Sequence, residues 1–290
     1  MAGIIDLIGN TPMAELQKMN INPAVKVFAK LEGNNPGGSV KDRASLNMIR
    51  SAIERGEITP GTKLVEATSG NTGIALAMIA SLYNLDIELV MPANSTRERK
   101  LTMEAFGARV TLLESIEECR DYAEDKGSSK GYFLLNQFAN PDNYMAHYKT
   151  TGPEIWRDTE GQITHFVSSM GTTGTIMGCS RFFKEQNKAI QIVGCQPTEG
   201  SSIPGIRRWP TEYLPKIFEP ERVDRVMDIA QEEATIMSRR MAREEGLFAG
   251  MSSGGACAAA LKLASELDHG TIVFITCDRG DRYLSSDLFG

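Results

Sequence analysis

Short apolar runs alternate with longer stretches of helical apolar spacing along most of the chain. The runs at 25–32, 63–68, 86–92, 108–113, 164–170, 190–197 and 270–277 have the length and β-branched content of buried strands. Between them, 39–56, 71–84 and 254–270 read as helices. Alternation of this kind predicts parallel sheets covered by helices on both faces, an α/β fold. No Gly/Ser/Pro-rich linker, repeat or low-complexity tract interrupts the pattern. The longest aperiodic stretch is 199–220, which carries Arg207 and Arg208 beside Trp209. Loops of that length in a compact protein are usually functional or interfacial.

Composition then narrows the partners. The 290 residues are 41% hydrophobic and 23% charged, with a net charge of -6. That balance argues against nucleic acid or an anionic membrane as the main partner, yet leaves room for a local cationic pocket. Five cysteines, Cys119, Cys179, Cys195, Cys257 and Cys277, are scattered without C-x-x-C spacing, so a reducing, cytoplasmic setting is expected. The opening residues lack a basic leader, and no apolar run approaches the ~18 residues that span a bilayer. His147, His165 and His269 have no partners at metal-ligand spacing, so no metal is expected.

In open α/β sheets ligands sit beyond the carboxyl ends of the strands, which directs attention to the strand-to-helix turns. Three are unusual: "ATSGNTG" at 67–73, "MGTTGTIMG" at 170–178 and "GMSSGG" at 250–255. Each offers small residues whose backbone N–H groups can approach an anion at the positive end of a helix. Gly171, Thr172, Thr173, Gly174 and Thr175 make the best phosphate cradle, with two glycines for the turn and three hydroxyls as donors. The "TSGNT" stretch of Thr68, Ser69, Gly70, Asn71 and Thr72 suits a carboxylate. Neither G-x-G-x-x-G nor a P-loop occurs, so a nucleotide site is not indicated.

One lysine stands out. In "EGNNPGGSVKDRAS" (32–45), Ser39 is a suitable N-cap and Asp42 its acidic capping-box partner, placing Lys41 near the second helical position. An ammonium is disfavoured there by roughly 0.3–1 kcal/mol, which a neutral or imine-bound amine avoids. A reactive lysine and a phosphate cradle without a nucleotide signature together suggest pyridoxal 5'-phosphate. The competing motif is "GMSSG" at 250–254, which satisfies the nucleophile-elbow pattern around Ser252. Downstream of it lie one histidine, His269, and only Glu266 and Asp268 between, too close in sequence to form separate triad arms.

"IGNTP", "SVKDRA", "TSGNTGIALA", "TTGPEIW", "SSGGA" and the terminal "RYLS" occur in an order that resembles the cysteine synthases, the O-acetylserine sulfhydrylases among the tryptophan-synthase-β-like pyridoxal phosphate enzymes. The likeness covers nearly the whole chain. It is greater to the B-isozyme branch, through "LEGNNPGGSVKDRA", "FVSSMGTTGT", "EGSSIPGIRRWPTEYLP" and "CDRGDRYLS". The common family pattern has GTGGT where this chain has "GTTGT", and usually lacks Arg207, Arg208 and the acidic "CDRGD".

The resemblance implies two open parallel-sheet domains, one of 35–146 and one of 1–34 with 147–290, and a cofactor in the cleft between them. It implies Lys41 as the Schiff-base lysine, Asn71 as partner of the cofactor's phenolic oxygen, Gly171 to Thr175 on the phosphate and Ser252 at the pyridine nitrogen. Thr68, Ser69, Gly70 and Thr72 match the substrate carboxylate loop. A hydroxyl at the ring nitrogen does not strongly favour ring protonation, so a carbanion there expels its β-leaving group quickly. The implied reaction converts O-acetylserine through an aminoacrylate to cysteine and acetate, with Lys41 removing and returning the α-proton. Arg207 is a candidate for attracting an anionic donor larger than sulfide, such as thiosulfate, and Cys277 and Asp278 for shaping the same pocket. Cys277 has nothing nearby in sequence to activate it as a nucleophile. A homodimer is expected by family likeness. The alternatives are a cystathionine β-synthase-like enzyme, a serine/threonine dehydratase, or a silent interaction protein on the same fold.

Overall fold

A computed structural model describes residues 3–68 and 70–290. In chain order the strands are β1 (Met13–Glu15), β2 (Val25–Leu31), β3 (Lys63–Ala67), β4 (Asp86–Pro92), β5 (Arg109–Leu113), β6 (Tyr132–Leu134), β7 (His165–Ser169), β8 (Gln191–Pro197), β9 (Arg225–Ile229) and β10 (Gly270–Thr276). The helices are α1 (Lys41–Glu54), α2 (Asn71–Leu82), α3 (Arg97–Ala105), α4 (Ile116–Gly127), α5 (Pro141–Ala146), α6 (Gly152–Asp158), α7 (Gly174–Gln186), α8 (Gln231–Arg240) and α9 (Met251–Glu266). A π-helical turn, His147–Thr151, joins α5 to α6.

Two sheets result. One has the order β5-β4-β3-β6, all parallel. The other runs β1-β2-β10-β7-β8-β9, parallel except for β1 against β2. The first two strands of the chain therefore share a sheet with the last four.

Both sheets are covered on both faces, as the near-continuous apolar runs require. Along β7, Val167 joins the core under α8 and α9, whereas its neighbour Phe166 joins the core under α6 and α7. Along β10, Ile272 and Phe274 face the first of these cores, and Val273 and Ile275 the second. This is the period-2 alternation of a strand buried on both sides. In the smaller sheet Leu64, Leu89 and Met91 pack against α1, α2 and α3, while Val65, Ala67 and Val90 pack against α4.

All seven predicted strands are present. β1, β6 and β9 fall outside the predicted runs, for physical reasons: β1 and β6 are three residues long, too short to show alternation, and β9 is an exposed edge strand. The start of α1 also differs. Val40, not Ser39, precedes the helix, and Lys41 is its first residue. Ser39 Oγ accepts from the Lys41 amide at 3.2 Å, but Asp42 reaches back past Ser39 to the Gly37 amide at 2.5 Å. The capping box is thus replaced by a wider loop closure, and burial pushes the Asp42 carboxyl up to about 7.

Behind Lys41, α1 is tied down by buried charges. Arg43 Nε donates to Glu32 at 2.7 Å and Nη1 to Glu154 at 2.6 Å. Lys30, fully buried, reaches Glu154 at 2.9 Å and donates to the Thr11 carbonyl at 2.6 Å. Burial works against both carboxylates, but Arg43 more than offsets it, holding Glu32 below the usual range and Glu154 at about 2. Removing one partner of such a group strands the others out of water. Arg43→Met is therefore expected to lower unfolding free energy by about 3–5 kcal/mol in a urea titration, and a loss under about 1 kcal/mol contradicts this account.

Candidate functional site

The carboxyl ends of β3, β7 and β10 and the amino ends of α1, α2, α7 and α9 frame one cavity. Its walls include Lys41, Gly70, Asn71, Thr72, Gln137, Gly171, Thr172, Thr175, Arg207, Trp209, Ser252 and Cys277. Sequence reasoning had singled out ten of these residues from six separate stretches of chain.

Lys41 enters because its neighbours are bolted to the end of β10. The Val40 amide donates to the Cys277 carbonyl at 2.8 Å, and Ser39 forms a bridge with Asp278. Among the described residues no group accepts a hydrogen bond or ion pair from Lys41 Nζ. Burial pulls its pKa down, against opposing effects of Cys277, Asp278 and Glu32. An amine in that condition is held toward its neutral, nucleophilic form.

Opposite it lies the turn from β7 into α7. Thr173 adopts a left-handed conformation, φ 68°, and the two glycines allow close backbone approach. A Cβ on Gly171 would sit 2.5 Å from the Gly205 carbonyl oxygen, and one on Gly174 2.0 Å from Asn143 Oδ1. Thr172 Oγ1 accepts from Asn143 Nδ2 at 3.2 Å, and Thr175 Oγ1 lies 3.4 Å from His147 Nε2. Burial drives His147 down to about 3. The cradle therefore offers an anion neutral donors and the end of a 13-residue helix.

A turn built for an anion, facing a depressed amine across one cavity, fits the phosphate and aldehyde ends of pyridoxal phosphate. Ser252, in the first turn of α9, completes the set: it is 3% exposed and on the cavity wall. Its carbonyl accepts from Ser169 Oγ at 2.7 Å, which fixes that turn against β7.

The loop before α2 divides its labour. Thr68 Oγ1 accepts from the Gly70 and Gly73 amides, both at 3.1 Å, so its side chain shapes the turn and does not line the cavity. Thr72 does line it, and donates to Gln137 Oε1 at 2.8 Å while Gln137 Nε2 donates to the Ala67 carbonyl at 2.7 Å. Ser69 lies outside the described residues. Thr173 and Gly174 shape the cradle turn without lining the cavity.

Asp278 stands behind the wall. Oδ2 accepts from Asn71 Nδ2 at 2.6 Å and from the Tyr283 hydroxyl at 2.7 Å, while Arg282 donates to Asn71 Oδ1 at 2.5 Å. A carboxylate on one side and a guanidinium on the other determine which way the Asn71 carboxamide faces. Asp278 thus orients Asn71 where a pocket-shaping contact with the donor was expected. Cys277 does reach the cavity, and burial pushes its thiol up to about 11, which agrees with an inert side chain.

The arginine pair separates. Arg207 faces the cavity, part-buried, whereas Arg208 turns outward to Asp228 at 2.6 Å. Gln137, Trp209 and Arg99 also line the cavity but were not among the candidates. Each stands outside the glycine-rich turns, so nothing in its local sequence announces it. Trp209 adjoined a candidate, and its indole donates to the Gly171 carbonyl at 2.8 Å.

A family model described as "Pyridoxal-phosphate dependent enzyme" matches residues 4–278. Cysteine synthase B of Pseudomonas aeruginosa is 58% identical over 289 residues, covering 99% of this chain and 97% of that protein. Cysteine synthase B of Escherichia coli is 57% identical over 293 residues, covering 100% and 97%. Among solved structures, a cysteine synthase from Entamoeba histolytica superposes with a TM-score of 0.93 at 37% identity, covering 100% of this chain and 90% of that one. With that breadth of agreement added to the lysine, the anion turn and the two parallel sheets, the chain belongs to the pyridoxal-phosphate dependent enzymes and, within them, to the cysteine synthases.

Proposed function

We propose that the protein makes cysteine by β-replacement, joining a sulfur nucleophile to Cβ of O-acetylserine and releasing acetate. The observation that carries this reading is Lys41: an amine drawn out of water, with no acceptor among the described residues, facing an anion cradle across the cavity. The chemistry of bound pyridoxal phosphate is that of an electron sink for the pair left when a Cα–H bond breaks.

This chain's residues supply the rest. Lys41 would be the attachment point and the base that takes the proton from Cα and returns it. Gly171, Thr172 and Thr175 would hold the phosphate with backbone N–H groups and the two threonine hydroxyls, on a turn shaped by Thr173 and Gly174. Gly70, Thr72 and the start of α2 receive the substrate carboxylate, and Asn71 presents a carboxamide already oriented by Asp278 and Arg282. The Ser252 hydroxyl would serve the ring nitrogen as a neutral partner. Arg207 confers use of an anionic donor such as thiosulfate: its guanidinium is half-buried at the cavity wall, burial lowers its pKa, and Nη1 donates only to the adjacent Ile206 carbonyl among the described residues.

We assign 35–146 to one domain and 1–34 with 147–290 to the other, with the cofactor between them. The separation of β3 to β6 from the remaining strands supports this division. A cytoplasmic homodimer completes the reading, in keeping with five free thiols. Among the described residues no helix is long and apolar enough to cross a membrane.

Three measurements test these assignments. Lys41→Ala is expected to abolish turnover of O-acetylserine and to remove the borohydride-sensitive visible absorbance; a variant that keeps either contradicts the role. Asp278→Asn removes the carboxylate that accepts from Asn71, leaving Arg282 alone to orient the carboxamide, and is expected to weaken cofactor binding by about tenfold in a fluorescence titration, the scale of one charge-assisted hydrogen bond. Arg207→Ala is expected to lower kcat/KM for thiosulfate by about tenfold to hundredfold, with sulfide changed less than about threefold. Equal losses for the two donors would count against selective recognition.

A further inference from the structure

Arg207 and Trp209 line the cavity, and one arginine from a distant helix holds the segment 207–213 that carries them. Arg120 projects from α4, whose Ile116, Cys119 and Ala123 pack on the β3 and β4 side of the smaller sheet. The segment itself follows β8 of the larger sheet. The Arg120 guanidinium carbon lies 4.3 Å from the Phe138 ring centroid, 5.2 Å from that of Tyr213 and 5.5 Å from that of Trp209. Its Nη1 donates to the Tyr213 carbonyl at 2.8 Å. Phe138 and Trp209 meet edge to face, with centroids 5.5 Å apart and planes at 81°.

The inner end of the segment is fixed separately. The Arg207 amide donates to the Met170 carbonyl at 3.0 Å, and the Trp209 indole to Gly171 at 2.8 Å. Both anchors belong to the turn entering the anion cradle. The outer end, at Tyr213, depends on Arg120. A planar guanidinium suits this task because it can stack on several rings while its fork reaches a carbonyl, which an ammonium cannot do.

We propose that Arg120 is a positioning residue for the sulfur donor: it clamps 207–213 onto α4 and thereby keeps Arg207 turned into the cavity. This rests on the reading of Arg207 as the group that meets an anionic donor. The clamp also joins an element of each sheet beside the cavity.

The test uses holoenzyme in a Trp156→Phe background, where Trp209 is the only remaining tryptophan of two. Arg120→Met keeps an unbranched side chain of similar reach without charge or donors. It is expected to red-shift Trp209 emission and raise its acrylamide quenching constant about twofold. The KM for thiosulfate should rise about fivefold, the scale of one cation–π contact with one hydrogen bond, and kcat with sulfide should stay within about twofold. Arg120→Lys retains the charge and is expected to fall between; it also serves if the Met variant does not fold. Unchanged emission and quenching in either folded variant overturns the clamp. Freed Trp209 with unaltered donor preference overturns the positioning role of Arg120, and Arg207→Ala in the same background then shows separately whether Arg207 meets the donor.

Discussion

The structure turns on one constraint: a primary amine must be kept out of water, without a partner among the described residues, at the positive end of a helix. Water would favour the ammonium, and a carboxylate in contact would do so more strongly. Lys41 avoids both. Its backbone neighbours are pinned to the end of β10, so the chain leaves β2, loops through 32–39 and enters α1 with little freedom. The groups that act on the amine from a distance, Cys277, Asp278 and Glu32, favour its charge but do not overcome burial. Glu32 is already engaged by Arg43 and Thr11, and Asp278 by Asn71 and Tyr283. Both acids thus have nearer donors than Lys41.

This explains why buried charges around the site are sorted so strictly. In the group of Lys30, Glu32, Arg43 and Glu154 each charge is answered by another, with Asp158 adding to Lys30 at its edge, and the group holds α1 in place. The cradle, in contrast, presents threonine hydroxyls, backbone amides and a histidine kept neutral by burial. A formal positive charge in the cradle would add to phosphate affinity, but it would also act on everything in the cavity. Neutral donors and a helix end bind an anion locally.

How much of this was legible in the sequence follows from how local each interaction is. The strands and the turns at 67–73, 170–178 and 250–255 were readable because alternation and glycine content report on a residue's immediate neighbours. Lys41 was conspicuous for the same reason, although its helix begins one residue later than the capping pattern suggested, because Asp42 found the Gly37 amide. Asp278 was singled out, but its work on Asn71 spans 207 positions of sequence and was not readable. Gln137, Arg99 and Arg120 carried no local signal at all; they matter only because folding brings α3, α4 and the stretch after β6 to the cavity. Arg207 and Arg208 show the limit most simply: they are adjacent in sequence and face different surroundings.

Charge in the cavity is divided by position. The effects on Lys41 come from Cys277, Asp278 and Glu32, and no cation is among them. Those on Arg207 come from Glu117 and Arg99, and Lys41 is not among them. A fixed positive charge close to the Lys41 amine would further disfavour its protonation. A long aperiodic segment, anchored to the turn after β7 and to α4, carries the guanidinium on a different element from the amine. The length of 199–220, which no regular element requires, is what permits that separation.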